Sequence, residues 1–231
     1  MKRRGRSPRR YTPIDHFDFL MSVIYDRMTL HEEHLADLKK SVLNDEIIAL
    51  QKIRTIPPHL ISRLLGYTPP KGVTSAYVIP YYDPRGHGWM PHIRMKVFPT
   101  IVRKKSTIKY LQPRTSGTRI FFPISTVDAV LHSTDDLYVI EGEKKSLCVA
   151  QSGAPVIGIA GVEGWHEGGS ERLHPDLDDV GLADRVVHLW PDGDFETNPM
   201  VHYAMDRLGL ALKARGVKAM TIVRSEPELT A

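Results

Sequence analysis

The sequence predicts an α/β fold: a Rossmannoid parallel sheet with helices on both faces, preceded by a helical module and a small basic β-rich subdomain. Three observations carry this. Strand-like and helix-like segments alternate from Leu137 to Arg224, and such alternation implies parallel strands joined by crossover helices. Two strand-like runs in that part, Leu137–Ile140 and Arg185–Trp190, each end at a carboxylate and a glycine. Upstream the texture differs, with helical periodicity over 14–66 and short alternating runs from Ser75. The expected division is a basic disordered tail at 1–12, a helical module at 13–72, a basic β-rich subdomain at 73–131 and the parallel-sheet domain at 132–231.

Composition limits the possible functions. The chain has 231 residues, with 42% hydrophobic content and a formal net charge of +4. One cysteine, Cys148, leaves neither an internal disulfide framework nor a cysteine zinc site. A reducing, cytoplasmic setting is expected. No apolar run approaches the ~20 residues of a membrane span. The basic N-terminus lacks the apolar core of a secretory signal. The charge is unevenly placed: residues 1–131 hold 22 Lys/Arg and 10 Asp/Glu, whereas 132–231 hold 9 and 17. A basic half beside an acidic half suggests a polyanion surface next to a cation site; two ordinary solvated surfaces are the alternative.

Taken in order, Met1–Arg10 carries six cations and no acid and reads as disordered. Asn44 is a natural N-cap, with Ile47, Ile48 and Leu50 expected to face inward. Pro58 suits the first turn of a helix through Leu65, ended by Gly66. His31 and His34 sit at helical spacing without a third metal ligand and read as a solvated face. Residues 68–72 form a linker. Strands are expected near 76–80, 92–97, 107–111 and 119–123, with a turn at Asp83–Gly86. The alternation Ile93-Arg94-Met95-Lys96-Val97 implies one buried and one basic face. Between Asp83 and Asp128 there is no acidic residue, while nine cations fall there: Arg85, Arg94, Lys96, Arg103, Lys104, Lys105, Lys109, Arg114 and Arg119. Cations of this kind neutralise phosphates, and interleaved aromatics can stack on bases.

In the second half, a strand at 137–140 leads to a helix near 143–152, stopped by Gly153, with Cys148 inside it. A strand at 156–160 and a Gly-rich loop at 161–169 follow, with Trp165 and His166 either touching substrate or packing the loop. A strand at 185–190 delivers Asp192 and Asp194. Asn198 caps a helix with Pro199 at its first position, Gly216 ends it, and 218–223 is the last strand. Ligands bind beyond the carboxyl ends of such strands. Glu141, Asp192 and Asp194 all fall there, and Mg²⁺ takes one or two carboxylates with water and phosphate as the rest. Singly, each motif has a bland reading: Glu141-Gly142-Glu143 as a helix-start carboxylate, Asp192-Gly193-Asp194 as a turn.

Together, strand-Glu141-Gly142 and strand-Asp192-Gly193-Asp194 resemble the Toprim domain of bacterial-type primases, type IA and II topoisomerases and OLD-family nucleases. The Glu-Gly-Glu-Lys-Lys form, with Asp-Gly-Asp followed by Asn198-Pro199, is most similar to Toprim domains of phage and plasmid primase-like proteins. Upstream, Ile79-Pro80, Asp83, Gly86, Arg94 and Lys109-Tyr110-Leu111 resemble the basic subdomain of replicative primases. The resemblance implies a Toprim-like domain at 132–231 holding Mg²⁺, with Mn²⁺ as a substitute, on Glu141, Asp192 and Asp194. Glu141 would also serve as general acid/base. It implies nucleotidyl transfer on single-stranded DNA from nucleoside triphosphates, in replication of a phage or other mobile element, with a replicative helicase or other replication protein as partner. Arg94, Lys96, Lys109, Tyr110, Arg114 and Arg119 are the candidate nucleic-acid and nucleotide contacts. Lys145 stands where primases usually place an aspartate, and a further acidic motif has only Glu226 and Glu228 as candidates. Competing readings are a non-catalytic DNA-binding module of the replication machinery and a Toprim nuclease.

Overall fold

The computed structural model describes residues 13–103, 106–114, 116–193 and 195–224. The basic tail, Lys104, Lys105, Asp194, Glu226 and Glu228 lie outside them. Two four-stranded sheets organise the chain. The first is antiparallel, in the order β1 (Arg54–Ile56), β2 (Ser75–Asp83), β3 (Gly88–Arg103), β4 (Ser106–Leu111). The second is parallel. Its members are β5 (Leu137–Glu141), β6 (Val156–Ile159), β7 (Val186–Trp190) and β8 (Ala219–Ile222), ordered β6-β5-β7-β8. The α/β fold read from the sequence is the fold observed.

Helices α1 (Pro13–Arg27), α2 (Glu32–Lys39), α3 (Asp45–Leu50) and α4 (Pro58–Leu65) precede or interrupt the first sheet. The Asn44 carboxamide accepts from the Ile47 N–H at 2.8 Å, which caps α3 as expected. Pro58 opens α4 and Gly66 closes it in the left-handed conformation. Leu50 points outward instead, because Ile47 and Ile48 already fill the inner face of this short helix. His34 also departs from a solvated face. It is buried, with Nδ1 2.7 Å from the Thr55 hydroxyl and Nε2 3.2 Å from that of Ser75. The cause is β1, a strand within 13–72 that brings Thr55 beneath α2. Residues 119–123 form no strand of the antiparallel sheet; Phe121 instead makes an isolated bridge to Gly158 at the edge of the parallel one.

Both faces of the antiparallel sheet are covered. Ile56, Ala76, Val78, Ile93, Met95 and Val97 pack against α1 and α4. On the other face, Tyr77, Ile79 and Tyr81 join a core with α2, α3, Phe121 and α6 (Glu143–Ala150). Leu147 and Ala150 of α6 enter that core, as do Ile140 and Val156 of the parallel sheet. Helix α6 therefore lies between the two sheets. The opposite face of the parallel sheet, with Val139, Ile157, Val187 and Leu189, packs on α7 (Pro199–Ala214) and α5 (Val127–His132), a helix that the sequence reading does not assign. At Gly158 the crossing is too close for a side chain: a Cβ there would sit 2.7 Å from the Ser146 hydroxyl and 3.1 Å from Phe121. Among the described residues no helix is long and apolar enough to cross a membrane.

Candidate active site

An open cleft of about 560 Å³ lies where the β3–β4 face of the first sheet meets the carboxyl edge of the second. Strand β5 ends at Glu141, paired with Ile159 of β6, and β7 is the other neighbour of β5. Gly142 has a φ of +98°, so the chain turns from strand to helix in a conformation that favours glycine. Asp192 lies two residues beyond β7, and its backbone N–H donates to Glu141 Oε2 at 3.1 Å. The Glu141 carboxylate thus reaches the Asp192 backbone at the edge of adjacent parallel strands, Asp192 exposed and Glu141 half-buried.

Lys145, in the first turn of α6, forms an ion pair with Asp192 Oδ1. The preceding residue reaches the other way: Lys144 Nζ lies 3.1 Å from Asp37 Oδ2. Asp37, on α2, also takes a hydrogen bond from the Tyr77 hydroxyl at 2.8 Å and an ion pair from Lys96 at 3.4 Å. Burial would raise its pKa, but the hydrogen bonds from Tyr77 and Lys144 and both lysine charges outweigh that, so the carboxyl is held below its usual range. Glu143, 3% exposed, accepts from the Tyr81 hydroxyl at 2.7 Å and pairs with Arg94 at 3.4 Å. Burial opposes the Arg94 charge, and the facing Glu143 carboxylate more than restores it. Tyr110 lies under both cations, 5.1 Å from the Arg94 guanidinium carbon and 5.4 Å from Lys96 Nζ.

The basic face of β3 is consequently an interior face. Arg94 and Lys96 line the cleft with their charges already met by carboxylates of the same chain. Their alternation with Ile93, Met95 and Val97 is as read, and the carboxylates that meet the basic side come from α6 and α2. Lys109 is exposed and lines the cleft beside Tyr110. Arg119 turns away: it grips buried Asp176 through two hydrogen bonds of 2.8 and 2.7 Å. Arg85 likewise pairs with Asp179. Arg114 is exposed near Tyr67, outside the cleft lining. Trp165 is fully buried in the core under Arg207, whose guanidinium lies 5.4 Å from the ring. Glu143 lines the cleft and Asp37 lies behind it, meeting Lys96 and Lys144 of the lining; sequence reasoning has Glu143 only as a helix-start carboxylate and does not single out Asp37. Asp37 lies 59 and 107 residues from the lysines it serves, so no local pattern marks it.

The donor set suits a hard divalent cation in part. Two carboxylates at and just beyond the ends of adjacent strands would supply oxygen ligands, and Mg²⁺ fills the remainder with water and phosphate. Among the described residues, no three or more His, Cys, Asp or Glu side chains gather as a metal site; Asp194 is not one of those residues.

Comparison with known proteins gives three findings. A family model described as a domain of unknown function, DUF3854, matches residues 129–228. The crystal structure of the Aquifex aeolicus primase, with its zinc-binding and RNA polymerase domains, is similar with a TM-score of 0.62 at 15% identity. The similarity covers 94% of this chain and 57% of that one, so this chain spans little more than half its length. The DnaG primase catalytic domain bound to ssDNA is similar with a TM-score of 0.55 at 16% identity, covering 93% and 74%. For the E. coli primase catalytic core the values are 0.56, 15%, 94% and 74%. The shared fold is that of primase catalytic cores. Among curated proteins nothing matches.

Proposed function

We propose that this chain is a primase-like Toprim protein that performs Mg²⁺-dependent nucleotidyl transfer on single-stranded DNA. The observation that carries the reading is the meeting of Glu141 and Asp192 at the carboxyl edge of the parallel sheet, facing Lys109 and Tyr110 across one cleft. Support for a replication role comes from the fold shared with primase cores, one of which is bound to ssDNA. The Glu-Gly-Glu-Lys-Lys motif supports a setting in a phage, plasmid or other mobile element.

In this reading Glu141 and Asp192, with Asp194, hold the metal. A bound divalent ion supplies charge stabilisation at the reacting phosphate. The chain's own residues do the rest. Lys109 offers an exposed cation to the backbone of a strand in the cleft, and Tyr110, fixed by Arg94 and Lys96, forms the wall beside it. Arg94 acts mainly through Glu143 and Tyr110, as a positioning residue. Glu141, half-buried and held by the Asp192 N–H, is set to take the proton of the attacking 3′-hydroxyl.

Primer synthesis on single-stranded template with nucleoside triphosphates tests the reading. Glu141→Gln should cut product at least ~100-fold and leave the fold intact by circular dichroism; full activity in that variant overturns it. A second reading, a DNA-binding accessory module without turnover, draws on the Lys145–Asp192 pair and the internal pairing of Arg94 and Lys96. It predicts strand binding without metal-dependent product.

A further inference from the structure

Lys145 has no part in the reaction just described, and its placement runs against local electrostatics. It sits in the first turn of α6, beside the positive end of the helix dipole, where an anion is favoured. Its partner is exposed, with 54% of the Asp192 side chain and 40% of its own open to solvent. An ion pair in that setting contributes little to folding. The cleft's other described ion pairs differ: Lys96, Lys144 and Arg94 all serve carboxylates in or behind the lining, Asp37 and Glu143. The Lys145 stem passes over Gly142, where an added Cβ would lie 3.9 Å from Cε. Lys144 and Lys145 diverge because consecutive helix residues point about 100° apart.

We propose that Lys145 is a built-in counter-cation of the Glu141/Asp192 pair, one that competes with a divalent metal for Asp192 and weakens metal binding at this edge. The proposal rests on the reading of Glu141 and Asp192 as metal ligands. Two carboxylates carry two negative charges, and Lys145 cancels one of them at the oxygen where a metal would bind. A dication reaching Asp192 must break the ion pair and then sit beside an ammonium group. The lysine thus sets a threshold for metal occupancy.

Mn²⁺ titration of the full chain, followed by the electron paramagnetic resonance signal of the free ion, tests this without reference to turnover. Lys145→Met keeps the stem and removes the charge, and should bind Mn²⁺ about fivefold more tightly, the weight of an exposed ion pair. Lys145→Arg keeps a cation and should bind like the wild type, which separates charge from altered packing. Asp192→Asn should abolish binding at this site in either background. If Lys145→Met binds no tighter than wild type while Asp192→Asn still loses the ion, the competition is refuted and the metal-site reading survives. If Asp192→Asn and Glu141→Gln both bind as wild type, the metal-site reading falls and takes the competition with it.

Discussion

Arg94 and Lys96 on β3 carry their charges inward, onto Glu143 and Asp37, whereas Glu141 and Asp192 carry theirs to the exposed rim of the parallel sheet. The cations come from a stretch of 44 residues without a single acid, and the carboxylates from a half with net negative charge. A count of charge along the chain therefore points to a broad polyanion surface. The fold divides that charge differently. Arg85, Arg94, Lys96 and Arg119 are engaged by acids far away in sequence, which ties these segments to α2, α6 and residues 175–179. Lys109 faces the cleft from the exposed end of the same sheet. The difference teaches that buried pairs fix the shape of the cleft, while in the proposed reading the chemistry would fall to the few charges left at its rim.

The sharpest way to break this contrast is Arg94→Ala. It strands the Glu143 carboxylate, 3% exposed, and should cost about 3–5 kcal/mol in urea denaturation at neutral pH. A loss below about 1 kcal/mol would mean the pair is effectively solvated. Protonation probes the same interior. Burial holds His92 near a pKa of about 4, with the Arg119 and Arg94 charges acting in the same direction. The unfolded chain takes up this proton below about pH 6.5 and the folded one does not. Stability should therefore fall from pH 6.5 to 4, by about 3 kcal/mol for this group, and level off below. His92→Gln should flatten that part of the profile.

A smaller effect separates the two kinds of cation. Lys109→Ala should lower the salt dependence of single-strand binding by about 0.7 in log–log slope, the share of one phosphate, and change stability by less than about 0.5 kcal/mol. Arg119→Ala should do the reverse. It loses about 2 kcal/mol by leaving buried Asp176 without its main partner and leaves the salt slope unchanged. Filter binding across a salt series, alongside denaturation, reads both quantities.

Much of the fold is legible because its signals are local. The runs Leu137–Ile140 and Val186–Trp190 are apolar, short and closed by turn residues, as buried parallel strands are. Asn44, Pro58, Gly66, Asn198 and Gly216 mark helix ends through their own backbone chemistry. Strand β1 escapes notice because three residues between Ile53 and Pro57 show no period. Arg119–Pro123 reads as a strand because Ile120, Phe121 and Phe122 are β-branched or aromatic, yet Phe121 alone pairs, with one residue of the other sheet. At the site, Glu141 and Asp192 are visible as strand-end carboxylates. Asp37 is not, and the burial of Glu143 beside Arg94 is not, since a buried charge is identified by what folds over it. The partner of Lys145 is equally hidden: 47 residues separate it from Asp192.

The most direct test of the central claim is anomalous scattering from crystals soaked in Mn²⁺. The account predicts a metal peak within bonding distance of both the Glu141 and Asp192 carboxylates, with the Lys145 ammonium displaced from Asp192. Peaks at other carboxylates, with none between these two at saturating metal, would contradict it.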